Sequence, residues 1–391
     1  MVDIKNIVII GVSLKGAGIS QVALMADYKV TLIDFKQEIV NKAATNIEKS
    51  LKKLETKNKL GNGKSAADIL KNLKISTDLI KSLRNADFIV ENVLEDMSTT
   101  QNLFKKCGEK SPAHATLSTN TSMMSITQIA KESGRPEKCI GMHFFHPVPL
   151  MRLIEIIPGE RTSDETINIA VKIADEFPCL RGKRYIAKVL KDRPGFIVNR
   201  LNAPVQIYLS WIFDQAAEKC IPWESIDADG GDIMPMPPCV LFDYIGIDTV
   251  VNALNYYQDK LSPDFKPGKV ITELYELGNF GAKTGKGFYD WSQGRPKPKF
   301  SQKAGLFDLN ITFAITLNEG CRILEEGIVK GFKTIDDANM AGMNVPGPFA
   351  AGKRNYKKWS EMLEKLSDES GIEYFRPCRL MKTGEFLKMR K

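Results

Sequence analysis

Four consecutive β-branched residues, Ile7-Val8-Ile9-Ile10, run without interruption into Gly11-Val12-Ser13-Leu14-Lys15-Gly16-Ala17-Gly18, then into a helical stretch and a second strand-like run that ends in Asp34. A strand that breaks at a glycine turn, opens a helix and is followed by an acidic strand end has the order of a dinucleotide site. Pyrophosphate rests there on backbone N–H groups at a helix N-terminus, and the carboxylate accepts from the adenosine ribose hydroxyls. This assigns Gly11, Gly16 and Asp34 to a cofactor. The position that usually carries the second glycine is Ser13, whose side chain adds bulk where the backbone would approach pyrophosphate. Asp34 would repel a 2′-phosphate, so NAD is expected rather than NADP.

Further strands are expected at Asp87 to Val93, Ala115 to Asn120, Cys139 to Phe145 and Leu153 to Ile157, several apolar throughout as in parallel strands buried on both faces. The fold class is therefore an α/β Rossmann-type N-terminal domain. Residues 36–73 carry apolar residues at helical spacing (Ile39, Ala43, Ile47, Leu51, Leu54) interrupted by Gly61-Asn62-Gly63, which predicts a helical insertion between strands. After Asp192-Arg193-Pro194-Gly195 strand signals fade, and Pro194 marks a boundary. Ile226-Asp227-Ala228 with Pro235-Met236-Pro237-Pro238 is echoed by Ile335-Asp336-Asp337-Ala338 with Pro346-Gly347-Pro348-Phe349, and Lys283-Thr284-Gly285-Lys286-Gly287-Phe288 by Lys382-Thr383-Gly384-Glu385-Phe386. The expectation is an NAD-binding domain over 1–191, then an all-α C-terminal domain in two copies, 192–291 and 304–391, joined by the linker Gln293 to Lys303.

A chain of 391 residues, 43% hydrophobic and 26% charged, suits such a multidomain globular protein and excludes disordered, collagen-like and coiled-coil classes. No run approaches the ~20 apolar residues of a membrane helix, and the first strand comes too early for a cleavable signal peptide, so a cytoplasmic location without membrane attachment is expected. Seven scattered cysteines without a C-x-x-C pair suggest neither a disulfide framework nor a thiolate zinc site.

Thr119-Asn120-Thr121-Ser122 closes one strand and Met142-His143-Phe144-Phe145-His146-Pro147 ends another, at the strand ends where doubly wound sheets bind ligands. An imidazole placed there can take a proton from an alcohol while hydride leaves the same carbon, and a nearby carboxylate would fix its tautomer. The chain has three histidines. His114 falls in a polar loop entry. His143 and His146 form H-x-x-H, but on a strand these side chains point to opposite faces, so no metal is expected.

With these landmarks in order, the sequence resembles the L-3-hydroxyacyl-CoA dehydrogenase family over essentially its first 291 residues, with the extra helical copy resembling members whose C-terminal region is duplicated. The matching residues are Gly11 to Gly18, Asp34, Ile47 to Leu51, Glu91 to Glu95, Asn120-Thr121-Ser122, His143 to Pro149, Glu155, Pro194 to Arg200 and Lys283 to Tyr289. The resemblance implies NAD-dependent, reversible oxidation of (3S)-3-hydroxyacyl-CoA to 3-oxoacyl-CoA. His143 would be the general base and Glu155 its orienting carboxylate, with Ser122 and Asn199 holding the substrate's 3-oxygen and thioester carbonyl. Glu95 and Lys283 would contact NAD, His146 would lie on the cofactor side, and Ser50 and Lys57 would meet coenzyme A. In the family the small domain commonly forms the dimer interface, so either an internal pseudo-dimer in a monomer or a homodimer is implied.

Ser13, Thr100, His146 and Pro237 depart from the family pattern, the first three on the cofactor side. The same residues thus also fit a non-catalytic acyl-CoA binder or assembly subunit with a degraded NAD site, or a dehydrogenase of a free hydroxy acid such as gulonate. The net charge of +8 is segregated: Asn41 to Arg84 holds 11 basic against 4 acidic residues, and Gly352 to Lys391 holds 11 against 6. The first patch coincides with the insertion that would meet coenzyme A phosphates. Neither patch interleaves aromatic residues, so nucleic-acid binding is not expected.

Overall fold

The computed structural model describes residues 4–61, 63–231, 234, 236–298 and 302–391; Asn62, Pro235 and part of the linker lie outside the described residues. The chain divides into two compact units, Met1–Val198 with Gly327–Gly347, and Asn199–Glu326 with Pro348–Lys391.

The first unit is built on an eight-stranded sheet: β1 (Asn6–Ile10), β2 (Lys29–Ile33), β3 (Leu73–Ser76), β4 (Phe88–Glu91), β5 (Thr116–Thr119), β6 (Cys139–Phe144), β7 (Leu153–Pro158) and β8 (Tyr185–Lys188). Their order is β3-β2-β1-β4-β5-β6-β7-β8, parallel except that β7 runs antiparallel to β6. The chain starts in the middle, winds outward to β3, and returns to place β4 on the other side of β1. The crevice beyond the C-terminal ends of β1 and β4 is thus the switch point where such sheets bind ligands.

The central strands are buried along almost their whole length because helices cover both faces. These include α1 (Leu14–Met25), α2 (Gln37–Glu55), α3 (Ala66–Leu70), α4 (Leu79–Leu83), α5 (Met97–Lys110), α6 (Ile126–Lys131) and α7 (Asp164–Glu176). In the insertion, α2 turns Val40, Ala43, Ile47, Leu51 and Leu54 into the core and leaves its lysines outside. The second arm of the expected hairpin is only the single turn α3, capped by Ser65, whose side chain and that of Asp68 bond each other's backbone N–H. Strands β3 and β8 were not expected from the sequence. Both are sheet edges with partly exposed, mixed side chains, so neither shows an apolar run.

The second unit holds α8 (Val198–Glu218) from its second residue, α9 (Trp223–Gly230), α10 (Pro238–Ile245), α11 (Ile247–Lys260), α12 (Lys269–Glu276) and α13 (Leu309–Glu325). After α14 (Phe332–Met343) come α15 (Pro348–Ser370) and α16 (Arg379–Thr383), again in the second unit. Its core contains a buried ionic cluster. Arg200 donates to Glu319 and, at 2.6 Å, to Glu326, while the Tyr374 hydroxyl donates to Glu319 at 3.0 Å and the Arg322 guanidinium lies 4.0 Å over the Tyr374 ring.

Helix α14 belongs to the first unit, not to the helices that flank it in sequence. Arg152 N–H donates to Ala341 O at 3.2 Å, Leu190 N–H donates to Ile328 O at 2.8 Å, and Gly342 lies so close to Leu153 and Phe145 that an added Cβ would fall 2.7 Å from the leucine side chain. The stretch 304–391 is therefore shared between the two units.

Candidate active site

The loop after β1 turns at Gly11, whose φ of +98° is open to glycine, and α1 begins at Ser13. Ser13 caps the helix: its Oγ accepts the Gly16 N–H at 3.3 Å and a bond from Asn92 Nδ2. A Cβ on Gly16 would stand 2.1 Å from the Gly11 carbonyl oxygen, so this turn closes only with glycine there. The first turn of α1 carries no acidic residue, leaving its positive end for an anion. Asp34, at the end of β2, accepts Val12 N–H at 3.0 Å on one oxygen and Phe35 N–H at 2.8 Å on the other.

A cleft of about 200 Å³ opens beyond β1, β4 and β5, lined by Ser13, Lys15, Glu91, Asn92, Glu95 and the Asn120-Thr121-Ser122 turn. Glu95 accepts Ser122 N–H at 2.5 Å and the Thr121 hydroxyl at 2.7 Å, fixing that turn. An amide chain crosses the cleft floor. Asn92 reaches back to Ser13, Asn120 Nδ2 donates to Asn92 Oδ1 at 2.5 Å, and Asn120 Oδ1 accepts Phe144 N–H at 2.8 Å. The loop after β1 is thereby tied to β6, the strand that carries His143. Sequence reasoning missed Asn92; its signal was a polar residue directly after a buried strand.

Reversal of the chain between β6 and β7 sets Glu155 opposite His143 as its direct cross-strand partner. His143 Nδ1 lies 2.7 Å from Glu155 Oε2, and the other carboxylate oxygen accepts the N–H groups of Ile197 and Val198, both at 3.1 Å. Phe145 and Phe196 pack on the imidazole at ring-centroid distances of 4.6 and 5.8 Å. An acceptor-only carboxylate on Nδ1 leaves Nε2 as the lone-pair nitrogen. Burial, and next the neighbouring Lys15 ammonium, hold the His143 pKa below the usual histidine value against the pull of Glu155. Lys15 Nζ stands 3.4 Å from His143 Nε2 and 3.4 Å from Ser122 Oγ, so Ser122, His143 and Glu155 converge on one place. Nothing in the residue order announced Lys15. Burial also pushes the Glu91 carboxyl up to about 7, beside the Thr119 hydroxyl at 2.5 Å.

The remaining expected site residues are dispersed. His146 is exposed beyond the end of β6, whereas His143 is buried, and no metal cluster occurs among the described residues. His114 bonds Asp87 at 3.0 Å before the start of β4, at the end of the sheet away from the cleft. Ser50 is half-buried on α2 and Lys57 exposed just beyond it. Asn199 and Lys283 belong to the second unit; Asn199 follows Val198 near the start of α8, and Lys283 donates to Asp248 at 2.8 Å and to Thr249 at 2.7 Å.

Against this geometry, the family profile described as 3-hydroxyacyl-CoA dehydrogenase, NAD binding domain, matches residues 6–182, and that of the 3-hydroxyacyl-CoA dehydrogenase C-terminal domain matches residues 195–291. The mitochondrial hydroxyacyl-coenzyme A dehydrogenase of Sus scrofa is 34% identical over 297 residues, covering 74% of this chain and 91% of that protein. The chain belongs to the 3-hydroxyacyl-CoA dehydrogenase family. A probable 3-hydroxybutyryl-CoA dehydrogenase of Deinococcus radiodurans is 35% identical over 287 residues, 72% of this chain and 99% of that protein. The crystal structure of 3-hydroxybutyryl-CoA dehydrogenase from Escherichia coli K12 superposes with a TM-score of 0.83 at 27% identity over 99% of both chains. Membership makes the chain an NAD-dependent dehydrogenase. A glycine turn at a helix N-terminus and a carboxylate at the end of the second strand are features that dinucleotide sites use. Among the described residues no helix is long and apolar enough to cross a membrane.

Proposed function

We propose that the protein oxidises (3S)-3-hydroxyacyl-CoA reversibly to 3-oxoacyl-CoA, with His143 as the general base. The observation that carries this reading is the buried Glu155–His143 pair, whose Nε2 lies with Ser122 Oγ around the Lys15 ammonium. NAD, when bound, accepts the hydride from C3. His143 Nε2 takes the hydroxyl proton, Glu155 holds the tautomer and balances the imidazolium, and Ser122 donates to the 3-oxygen as its charge rises. Asn199 is assigned the thioester carbonyl, and Gly11, Gly16, Asp34, Glu95, His146 and Lys283 the cofactor. For coenzyme A, the outward lysine face of α2 supports Lys57 and Ser50 as phosphate-side contacts.

Residues 304–391 are read as a second copy of 192–291. In the first, Asp227 accepts the Cys239 N–H at 2.7 Å at the start of the proline-led α10; in the second, Asp336 lies against Gly347, next to the proline that leads α15. The Arg200–Glu319 bond between α8 and α13 supports an internal pseudo-dimer. The domain division 1–191, 192–291 and 304–391 is kept as a division of ancestry.

Following NADH absorbance with acetoacetyl-CoA tests the function. Folded protein should consume NADH, and His143→Ala should lose about 100-fold or more. Folded wild-type protein that turns over no chain length would refute the assignment.

A further inference from the structure

Lys15 is a charged side chain in the cleft that the assignments above leave without a role. It is the second residue of α1, at the positive end of a helix, where a cation is disfavoured and would ordinarily extend into water. Instead it is half-buried, with Nζ 3.4 Å from both Ser122 Oγ and His143 Nε2. The charged and titratable groups that face it come from four places: Glu95 after β4, His143 on β6, His146 beyond β6, and Glu155 on β7.

We propose that Lys15 is a catalytic residue of this chain, its ammonium donating a hydrogen bond to the substrate's 3-oxygen from between Ser122 and His143. The inference rests on the reaction assigned above. An oxygen that bonds both Ser122 Oγ and His143 Nε2 must lie where Nζ now lies or beside it. The flexible four-carbon stem lets the ammonium step back and keep one N–H on that oxygen. In the reductive direction hydride adds to C3 and the C=O π pair moves onto oxygen. That oxygen takes its proton from the His143 imidazolium while Lys15 and Ser122 hold the developing charge. In the oxidative direction the O–H proton passes to neutral His143, the C3–H pair leaves as hydride, and the carbonyl forms against the same two donors. Lys15 keeps its own proton throughout.

The electrostatics agree with this placement. Burial lowers the Lys15 pKa while Glu95 and Glu155 raise it, and Lys15 in turn lowers that of His143 after burial has done so. The ammonium thus helps keep the base unprotonated and ready.

The test is Lys15→Met and Lys15→Arg in the full-length protein, with three readouts: kcat and KM for acetoacetyl-CoA and NADH, the pH profile of kcat/KM, and an NMR titration of His143. Loss of one preorganised donor to a developing oxyanion predicts a fall in kcat of about 100-fold for Lys15→Met. The KM for NADH should change little, and the His143 titration should move to higher pH; Lys15→Arg should restore the titration. A Lys15→Met enzyme with kcat within about twofold of wild type overturns the role. So does one whose only defect is a raised KM for NADH, which would make Lys15 a cofactor-binding cation. Folded wild-type protein inactive with every 3-oxoacyl-CoA overturns the assigned reaction and this role together, whereas an active wild type with an indifferent Lys15→Met overturns this role alone.

Discussion

His143 and Glu155 are register partners across β6 and β7, the antiparallel pair of the sheet, and their side chains meet at 2.7 Å. Directly opposed residues on paired strands have their Cβ atoms about 5 Å apart, so the pairing itself brings ring to carboxylate. The two backbone N–H groups at 197 and 198 then hold the carboxylate oxygen that the ring does not use.

Replacing Glu155 should therefore harm orientation before it harms folding. Glu155→Gln keeps the shape but loses the acceptor that selects the tautomer, and kcat should fall by about 100-fold or more, with a smaller effect on KM. Glu155→Ala leaves Ile197 and Val198 N–H groups and a buried ring unsatisfied and should cost about 2–4 kcal/mol in denaturant unfolding. Full activity in Glu155→Gln would contradict the orienting role.

With His143 as the proposed base, its lowered pKa should set the acid side of the pH dependence. The base stays neutral below the ordinary value of about 6.5, so the acid limb of kcat/KM should bend under that pH. The same shift enters stability. The folded state binds fewer protons than the unfolded one, so stability tied to His143 is present above ~6.5 and is lost as pH falls through the window down to its folded pKa. Chemical denaturation of wild type and His143→Gln between pH 4 and 8 checks the sign.

Glu91 predicts the opposite slope. Its carboxyl, 3% exposed, is pushed up to about 7, so its contribution is fully present below the unfolded pKa near 4.5 and is lost as pH rises through about 7. The loss should approach ~3 kcal/mol at most, and Glu91→Gln should flatten it. Parallel stability curves for the two proteins from pH 4 to 9 would rule out a raised pKa.

Gly16→Ala should weaken NADH binding by at least about tenfold, because its Cβ would meet the Gly11 carbonyl oxygen and reopen the turn proposed to cradle pyrophosphate. Calorimetric titration reads it directly, and unchanged affinity would mean that the loop does not carry the cofactor.

In the second unit, Arg200→Ala would leave the buried Glu319 with only Arg322, at 3.6 Å, and the Tyr374 hydroxyl as partners, and should cost up to about 3–5 kcal/mol. A loss under about 1 kcal/mol, read from the denaturation midpoint, would mean that water or another cation replaces the guanidinium.

The sheet's centre was legible because Ile7–Ile10 is apolar throughout and Cys139–Phe144 nearly so, as strands buried on both faces are. Strands β3 and β8 were not, since Leu73–Ser76 and Tyr185–Lys188 owe their conformation to a neighbouring strand and not to an apolar pattern of their own. In the site, His143 and Glu155 could be named because their residue types fit one chemistry and a familiar order of landmarks. Lys15 could not: in the sequence it is one lysine in a glycine-rich loop, and only the phase of α1 decides that its side chain turns inward. Ser13 reads as an obstruction in one dimension and proves to be a helix cap once Asn92 is beside it.

Helix α14 changes what can be cut from this chain. Its segment begins after residue 326, yet Gly342 seats against Leu153 and against Phe145, the ring that leans on His143. Ending the polypeptide after Lys303 would remove the helix that packs on Leu153 and Phe145, beside the strands that carry His143 and Glu155. A segment from the last fifth of the chain thus packs against strands that come from its first half.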